Sequence, residues 1–345
     1  MQHLFVEPLG QDDNLGDSVL RAAYMDALRG SGRRLHVQVE GQSSDYLSGL
    51  PLKADDVIYS SRKAWLSASA SASRPVMVFN AGEWTMRAPG RFPNAQRVAE
   101  LQRAIKRGGA VIAAGLGVQS PAVASSVDFA PVLLESAVVS WRDEPSRDAA
   151  GFGTFAPDWA FGLGTPVAEW CPRKERGLLA VTLRFDRAWP DESWLHAVKT
   201  LATVTATRIV TVAQVARDAP RAVRLAEELG GEYLGAESTS HADLDAHVRS
   251  VYSRCLAVVS DRAHALILGA TEGAYPIGSA ADPQKISRML DVAHIAELTG
   301  SYDALPGLVD GLDAALPRLG PNVALARRQV AALTERIHEA LIAAS

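Results

Sequence analysis

The stretch CLAVVSDRAHALILGATEGAYPIGSAADPQKISRML (Cys255–Leu290) decides the reading of this chain. CLAVVS is a continuous apolar run of strand length, the pattern of a parallel strand buried on both faces. Ser260 and Asp261 are helix-capping residue types, so a helix is expected from about Arg262 through ALILGAT, with Gly273 as its stop. The device repeats after AYPIG. Asp282 is a good cap, Pro283 suits the first helical position, and Lys285 falls in the opening turn of SRML. Strand, helix, strand, helix belongs to an open α/β sheet, whose ligands bind outside the carboxyl ends of the strands. Arg262 and His264 follow the first strand and Lys285 the second. Singly, such an arginine pairs with an acid, such a histidine is half-buried packing, and such a lysine is solvated. The three together at adjacent strand ends point to a site for a small anion, beside free backbone N–H groups and the positive end of a helix dipole.

The same alternation extends through the chain. LFVEPL, RLHVQVE, DDVIYS, PVMVFNA, GAVIAAG and SAVVSW read as strands, and DSVLRAAYMDAL and AQRVAELQRAIKRG as helices. The Ser67–Ser73 tract SASASAS reads equally as a helix end or a mobile loop. A Pro- and Gly-rich passage, Phe152–Pro172, reads as an interdomain linker. A second α/β half follows: LLAVTLRF, a helix around SWLHAVKTLATV, RIVTVAQV, the helix RAVRLAEELG, EYLG, and then the stretch above. The fold class expected is α/β: two Rossmann-like domains facing across a cleft, each a parallel sheet with helices on both faces. The domains expected are 1–165, 173–320 and a C-terminal helix at 321–345. That last segment carries Val323, Ala326, Val330, Leu333, Ile337 and Leu341 at helical spacing, and it is expected to pack back on the first domain.

Composition sets outer limits. The chain has 345 residues, 48% hydrophobic, enough for about two domain cores. A net charge of −4 with both signs dispersed leaves no electrostatic footprint for nucleic acid. The two cysteines, Cys171 and Cys255, have neither metal-like spacing nor a disulfide framework. No metal site is expected, and the acidic pairs Asp12–Asp13 and Asp55–Asp56 lack a metal-binding context. No uncharged apolar run reaches the roughly 20 residues of a membrane span, and MQHLFVEPLG does not read as a signal peptide. A cytoplasmic protein is expected, with room for peripheral contact with a lipid-linked substrate and for a homo-oligomer.

The ordered motifs resemble a known family. S-D-R-x-H-A-x-I, a small-residue helix, P-I-G and D-P-x-K look like the C-terminal signature of the polysaccharide pyruvyl transferases. Asn14-Leu15-Gly16-Asp17 is similar to that family's N-x-G-D element. Gly115-Leu116-Gly117-Val118-Gln119 stands where the family has a Gly-rich turn after a strand. Trp141-Arg142-Asp143, Pro157-Asp158 and Thr182-Leu183-Arg184 match further landmarks in order. The resemblance covers roughly residues 1 to 300. Asn80-Ala81-Gly82-Glu83-Trp84 departs from the family's Gly-Gly-Gly-type turn, in the region expected to touch the acceptor.

The resemblance implies a GT-B-like architecture and transfer of a pyruvyl group from phosphoenolpyruvate to two hydroxyls of a sugar, giving a cyclic ketal and phosphate. The sugar would belong to a cell-surface or exported polysaccharide or its precursor, a glycan or glycolipid. Holding a carboxylate and a phosphate together needs persistent cations, so Arg142, Arg184, Arg262 and Lys285 are the donor-binding candidates. His264 is the candidate general acid/base. Asn14, Asp17 and Trp84 are the acceptor candidates, although Asp17 or Ser18 serves equally as cap of a helix beginning at Val19. No cofactor beyond the co-substrate phosphoenolpyruvate is implied.

The alternative is a nucleotide-sugar glycosyltransferase on the same architecture. Many of these carry E-A-x-x-x-G-x-P at the donor site. Here Gly269 stands seven residues before Pro276 where the ribose-holding Glu would be, which counts against that reading. A non-catalytic descendant is disfavoured because His264 and the arginines are present.

Overall fold

The computed structural model describes residues 1–30 and 32–344. Two compact units emerge. The first comprises 1–12, 17–159 and the chain from Gln329 onward, and the second comprises 13–16 and 160–328.

In the first unit the strands are β1 (Gln2–Val6), β2 (Arg33–Gln38), β3 (Val57–Tyr59), β4 (Val76–Val78) and β5 (Gly82–Trp84). They continue with β6 (Arg91–Phe92), β7 (Ala110–Val118), β8 (Asp128–Phe129), β9 (Val138–Trp141) and β10 (Thr154–Phe155). The main sheet runs β10-β9-β7-β4-β1-β2-β3, with β5 also paired to β7. Its pairings are parallel. The chain moves outward from β1 through β2 to β3, then resumes on the other side of β1 with β4. That reversal is the topological switch point of a doubly wound sheet. Phe5, Trp65, Met77, Phe79, Leu101 and Trp141 lie in one buried core against it.

The second unit repeats the plan with β11 (Leu178–Thr182), β12 (Arg208–Thr211), β13 (Glu232–Tyr233), β14 (Cys255–Ser260), β15 (Tyr275–Ser279) and β16 (Thr299–Gly300). The order is β13-β12-β11-β14-β15-β16, again parallel, with the reversal between β11 and β14. β11 and β14 are buried along their whole length, which is why their sequences are unbroken apolar runs. Both units are thus Rossmann-like, with helices packed on parallel sheets.

Several local expectations are corrected. The first helix spans Leu15–Leu28 rather than starting at Val19. Asn14 stands just before it, and its Oδ1 accepts the Gly16 N–H at 3.1 Å. The helix therefore starts four residues earlier than expected, with Asn14 in place of Asp17 or Ser18 before it. The Gly115–Gly117 motif is no turn, because it lies inside β7. Gly115, at φ +76°, makes a bulge between Ala114 and Leu116 in the pairing with β9. A side chain there would strike the Trp159 indole, and one at Gly117 would strike the Arg142 guanidinium. SASASAS is mostly helix, within Arg62–Ser71. The C-terminal helix runs Leu312–Ala343, starting eleven residues before the first residue of its apolar stripe, and it incorporates Pro317 and Pro321. The stripe itself, Val323 to Leu341, is buried.

Candidate active site

The switch point of the C-terminal unit collects most of the residues singled out by sequence. The helix Ala263–Thr271 follows β14, with Arg262 at its cap position. Ser260 Oγ donates to Thr182 O at 2.6 Å and accepts the Arg262 N–H at 2.9 Å, locking the ends of β11 and β14 together. Two carboxylates then fix the loop after β11. Asp261 Oδ1 accepts the Arg184 N–H at 2.8 Å, and Asp218 Oδ1 accepts the Phe185 N–H at 2.9 Å. Burial raises the Asp261 carboxyl, against the hydrogen bonds from the Arg184 N–H and the Tyr302 hydroxyl that favour its ionised form.

The arginines do not stand open. Arg262 makes a two-pronged pair with Asp218: Nη2 to Oδ1 at 2.8 Å, and Nε to Oδ2. The side chains are 11% and 1% exposed, so this is a desolvated pair. Arg184 forks onto Asp186 at 2.9 and 2.8 Å, which brings the Asp186 carboxyl down to about 2. Arg142 belongs to the other unit, at the end of β9. It is buried against Glu83 at 3.1 Å and Asp158 at 3.6 Å. Asp143 caps the following helix through the Ser146 N–H. Each of the three arginines singled out by sequence therefore has a carboxylate partner.

His264 is half-buried in the first turn of its helix. Gly16 packs against its ring, and a Cβ at Gly16 would come within 2.6 Å of His264 Cβ. The segment 13–16 is held to this unit by an antiparallel bridge of Asn14 to Val215, by Leu15 N–H to Gln214 O at 3.1 Å, and by a fork from Arg217 to Asp13 at 2.6 and 2.9 Å. Asn14, Arg184, Arg262 and His264 are thus brought into one neighbourhood. Lys285 lies exposed in the first turn of Gln284–Asp291, after β15, which pairs directly with β14. Sequence reasoning missed Asp218, whose link to Arg262 spans 44 positions, and Phe185, an apolar side chain left 43% exposed after β11.

Asp17 and Trp84 belong to the N-terminal unit. Asp17 accepts the Gln11 N–H at 2.8 Å and pairs with Arg21 at 3.0 Å. Trp84, at the end of β5, donates to Asn80 O at 3.2 Å and meets Phe79 and Phe92 edge-on at 5.8 and 5.3 Å. It also lines a cavity of about 760 Å³ with Glu7 and Leu9 after β1 and Asn80 after β4. This cavity occupies that unit's own switch point. Among the described residues no group of three or more His, Cys, Asp and Glu side chains is gathered as for a metal ion, and no helix is long and apolar enough to cross a membrane.

No protein-family model matches the chain, and no curated sequence matches it. Solved structures do. An O-GlcNAc transferase variant from Thermobaculum terrenum superposes with a TM-score of 0.53 at 12% identity, over 100% of this chain and 67% of that one. HepE of Anabaena, solved with UDP and glucose, gives 0.56 at 9% identity over 99% of both chains. A glycosyltransferase from Rickettsia africae gives 0.50 at 12% identity, over 99% of this chain and 97% of that one. At such identities the likeness establishes the fold alone: this chain has the GT-B fold of two Rossmann-like domains.

Proposed function

We propose that this chain is a glycosyltransferase that takes its sugar from a nucleotide-sugar donor held at the switch point of the C-terminal unit. The observation that carries this reading is the pairing of the arginines. Phosphoenolpyruvate presents a carboxylate and a phosphate within a few atoms of each other and needs a surplus of fixed cations. Arg142, Arg184 and Arg262 are instead neutralised by Glu83 and Asp158, by Asp186, and by Asp218. A diphosphate has other partners here. The positive end of the Ala263–Thr271 helix dipole suits one, His264 stands in its first turn, and Phe185 is 43% exposed, an apolar surface for a base beside Arg217. In the transfer, the bond from the anomeric carbon to the diphosphate breaks with its electron pair on the leaving oxygen. The acceptor hydroxyl bonds to that carbon and passes its proton to the departing diphosphate, which balances the charge. His264 and the positive end of the helix dipole offset the charge that gathers on the diphosphate.

Pyruvyl transfer stands as the second reading, and one observation favours it. At Gly269, where the ribose carboxylate of many nucleotide-sugar enzymes would sit, a Cβ would lie 2.6 Å from Val258 Cγ2, leaving no space for a side chain. Thermal unfolding with a panel of nucleoside diphosphates, nucleotide sugars and phosphoenolpyruvate separates the two. A ligand at a hundred times its Kd stabilises the native state by about 2.7 kcal/mol. A shift with one nucleotide class, reduced in His264→Ala, is the expected result. A shift with phosphoenolpyruvate alone, lost in Lys285→Ala, would replace the first reading by the second.

A further inference from the structure

The cavity of the N-terminal unit has a composition that selects its occupant. About 760 Å³ falls within the ~300–1,000 Å³ typical of small-molecule sites. One wall is apolar: Trp84, held edge-on by Phe79 and Phe92, gives a rigid indole of the kind on which sugar rings stack.

The charges at the cavity are nearly all matched. Arg62 and Arg97 share Glu7 and Glu100, with Arg62 to Glu7 at 3.2 Å, Arg62 to Glu100 at 2.8 Å, Arg97 to Glu100 at 3.2 Å and Arg97 to Glu7 in direct contact. Arg91 pairs with Asp128 at 2.7 Å. Two donors are left over. Arg87 lines the cavity, is exposed, and has no hydrogen bond or ion pair among the described residues. Arg97 is only 9% exposed, lines the same cavity, and its Nε is buried without an acceptor.

We propose that this cavity binds an acidic sugar, its ring against Trp84 and its anionic group on Arg87. The shared chemistry is a pyranose-sized ring carrying one negative group, either a carboxylate or a phosphate. The binding claim stands on the cavity itself. That the bound sugar is the acceptor rests on the transferase reading above.

The test titrates the full chain calorimetrically with glucuronate, glucose 6-phosphate and glucose, each with and without UDP. At least one acidic sugar is expected to bind about tenfold more tightly than glucose, and the stronger of the two identifies the anionic group. Arg87→Ala, at an exposed side chain without bonds, should keep the fold and erase that preference. Trp84→Phe should weaken both acidic sugars several-fold while Arg87→Ala leaves glucose unchanged. Equal binding of glucose and the acidic sugars, a preference that survives Arg87→Ala, or silence from all three sugars in both conditions overturns the proposal. Nucleotide silence beside intact sugar selectivity would overturn the donor reading and leave this one standing.

Discussion

Replacing Arg262 by Met removes one member of a pair whose side chains are 11% and 1% exposed. Asp218 would then keep a buried charge with the hydrogen bond from the Phe185 N–H remaining to it. Breaking one side of a buried ion pair typically costs about 3–5 kcal/mol, because the stranded charge has lost water as well as its partner. Adding Asp218→Asn removes the stranded charge and keeps an oxygen for the Phe185 N–H. The double variant should then lose only about 1–2 kcal/mol, the worth of the lost hydrogen bonds and imperfect packing. For a domain of 150–250 residues each kcal/mol moves Tm by about 2–4 °C, so the single variant should melt roughly 6–20 °C early and the double variant recover most of that. Urea unfolding followed by tryptophan fluorescence gives the free energies directly, since Trp194 is buried in this unit. A single variant that costs less than about 1 kcal/mol, or a double variant that loses as much stability as the single, would refute the clamp. Arg262 would then be free to serve a ligand, phosphoenolpyruvate included.

Three further outcomes follow from particular groups. The Asp186 carboxyl, held down to about 2 by Arg184, should titrate near there by NMR and return to the ordinary carboxylate range in Arg184→Ala; its contribution to stability is present above the unfolded carboxyl's range and is lost as pH falls through about 2. His36 is pushed down to about 4, first by burial and then by His3 and Arg34, within a chain from His3 Nδ1 to His36 Nε2 at 2.8 Å and from His36 Nδ1 to Tyr59 Oη at 2.9 Å. Between about pH 6.5 and 4 the unfolded histidine binds a proton that the folded one refuses, so stability should fall across that window as pH drops, and less so in His36→Gln. Gly16→Ala should push the His264 ring from its place and weaken nucleotide binding more than it lowers Tm, read by calorimetry beside thermal unfolding.

The local grammar of the chain was legible because it is written in neighbours. CLAVVS, ALILGAT and AYPIG show their periods over a few residues, and the structure has β14, Ala263–Thr271 and β15 there, with the helix starting one residue later than read. The two-domain Rossmann-like class was legible for the same reason. What hid was whatever depends on distant partners. Arg262 looked like a free cation because Asp218 lies 44 positions away, and Arg142 because Glu83 lies 59 away. Gly115 and Gly117 read as a turn because a glycine pair carries no sign of whether it bends the chain or makes room for Trp159 and Arg142. Asn14 was passed over as the cap because three capping residue types crowd together at Asn14, Asp17 and Ser18. The cavity beside Trp84 was invisible, since Glu7, Asn80 and Arg97 converge only through the sheet order.

The most direct test of the transferase account is saturation-transfer NMR of the full chain with an equimolar mixture of UDP-, ADP- and GDP-sugars and phosphoenolpyruvate. The account predicts signals from the base and ribose protons of one nucleotide sugar and none from the phosphoenolpyruvate methylene. Signals from phosphoenolpyruvate with none from any nucleotide would contradict it.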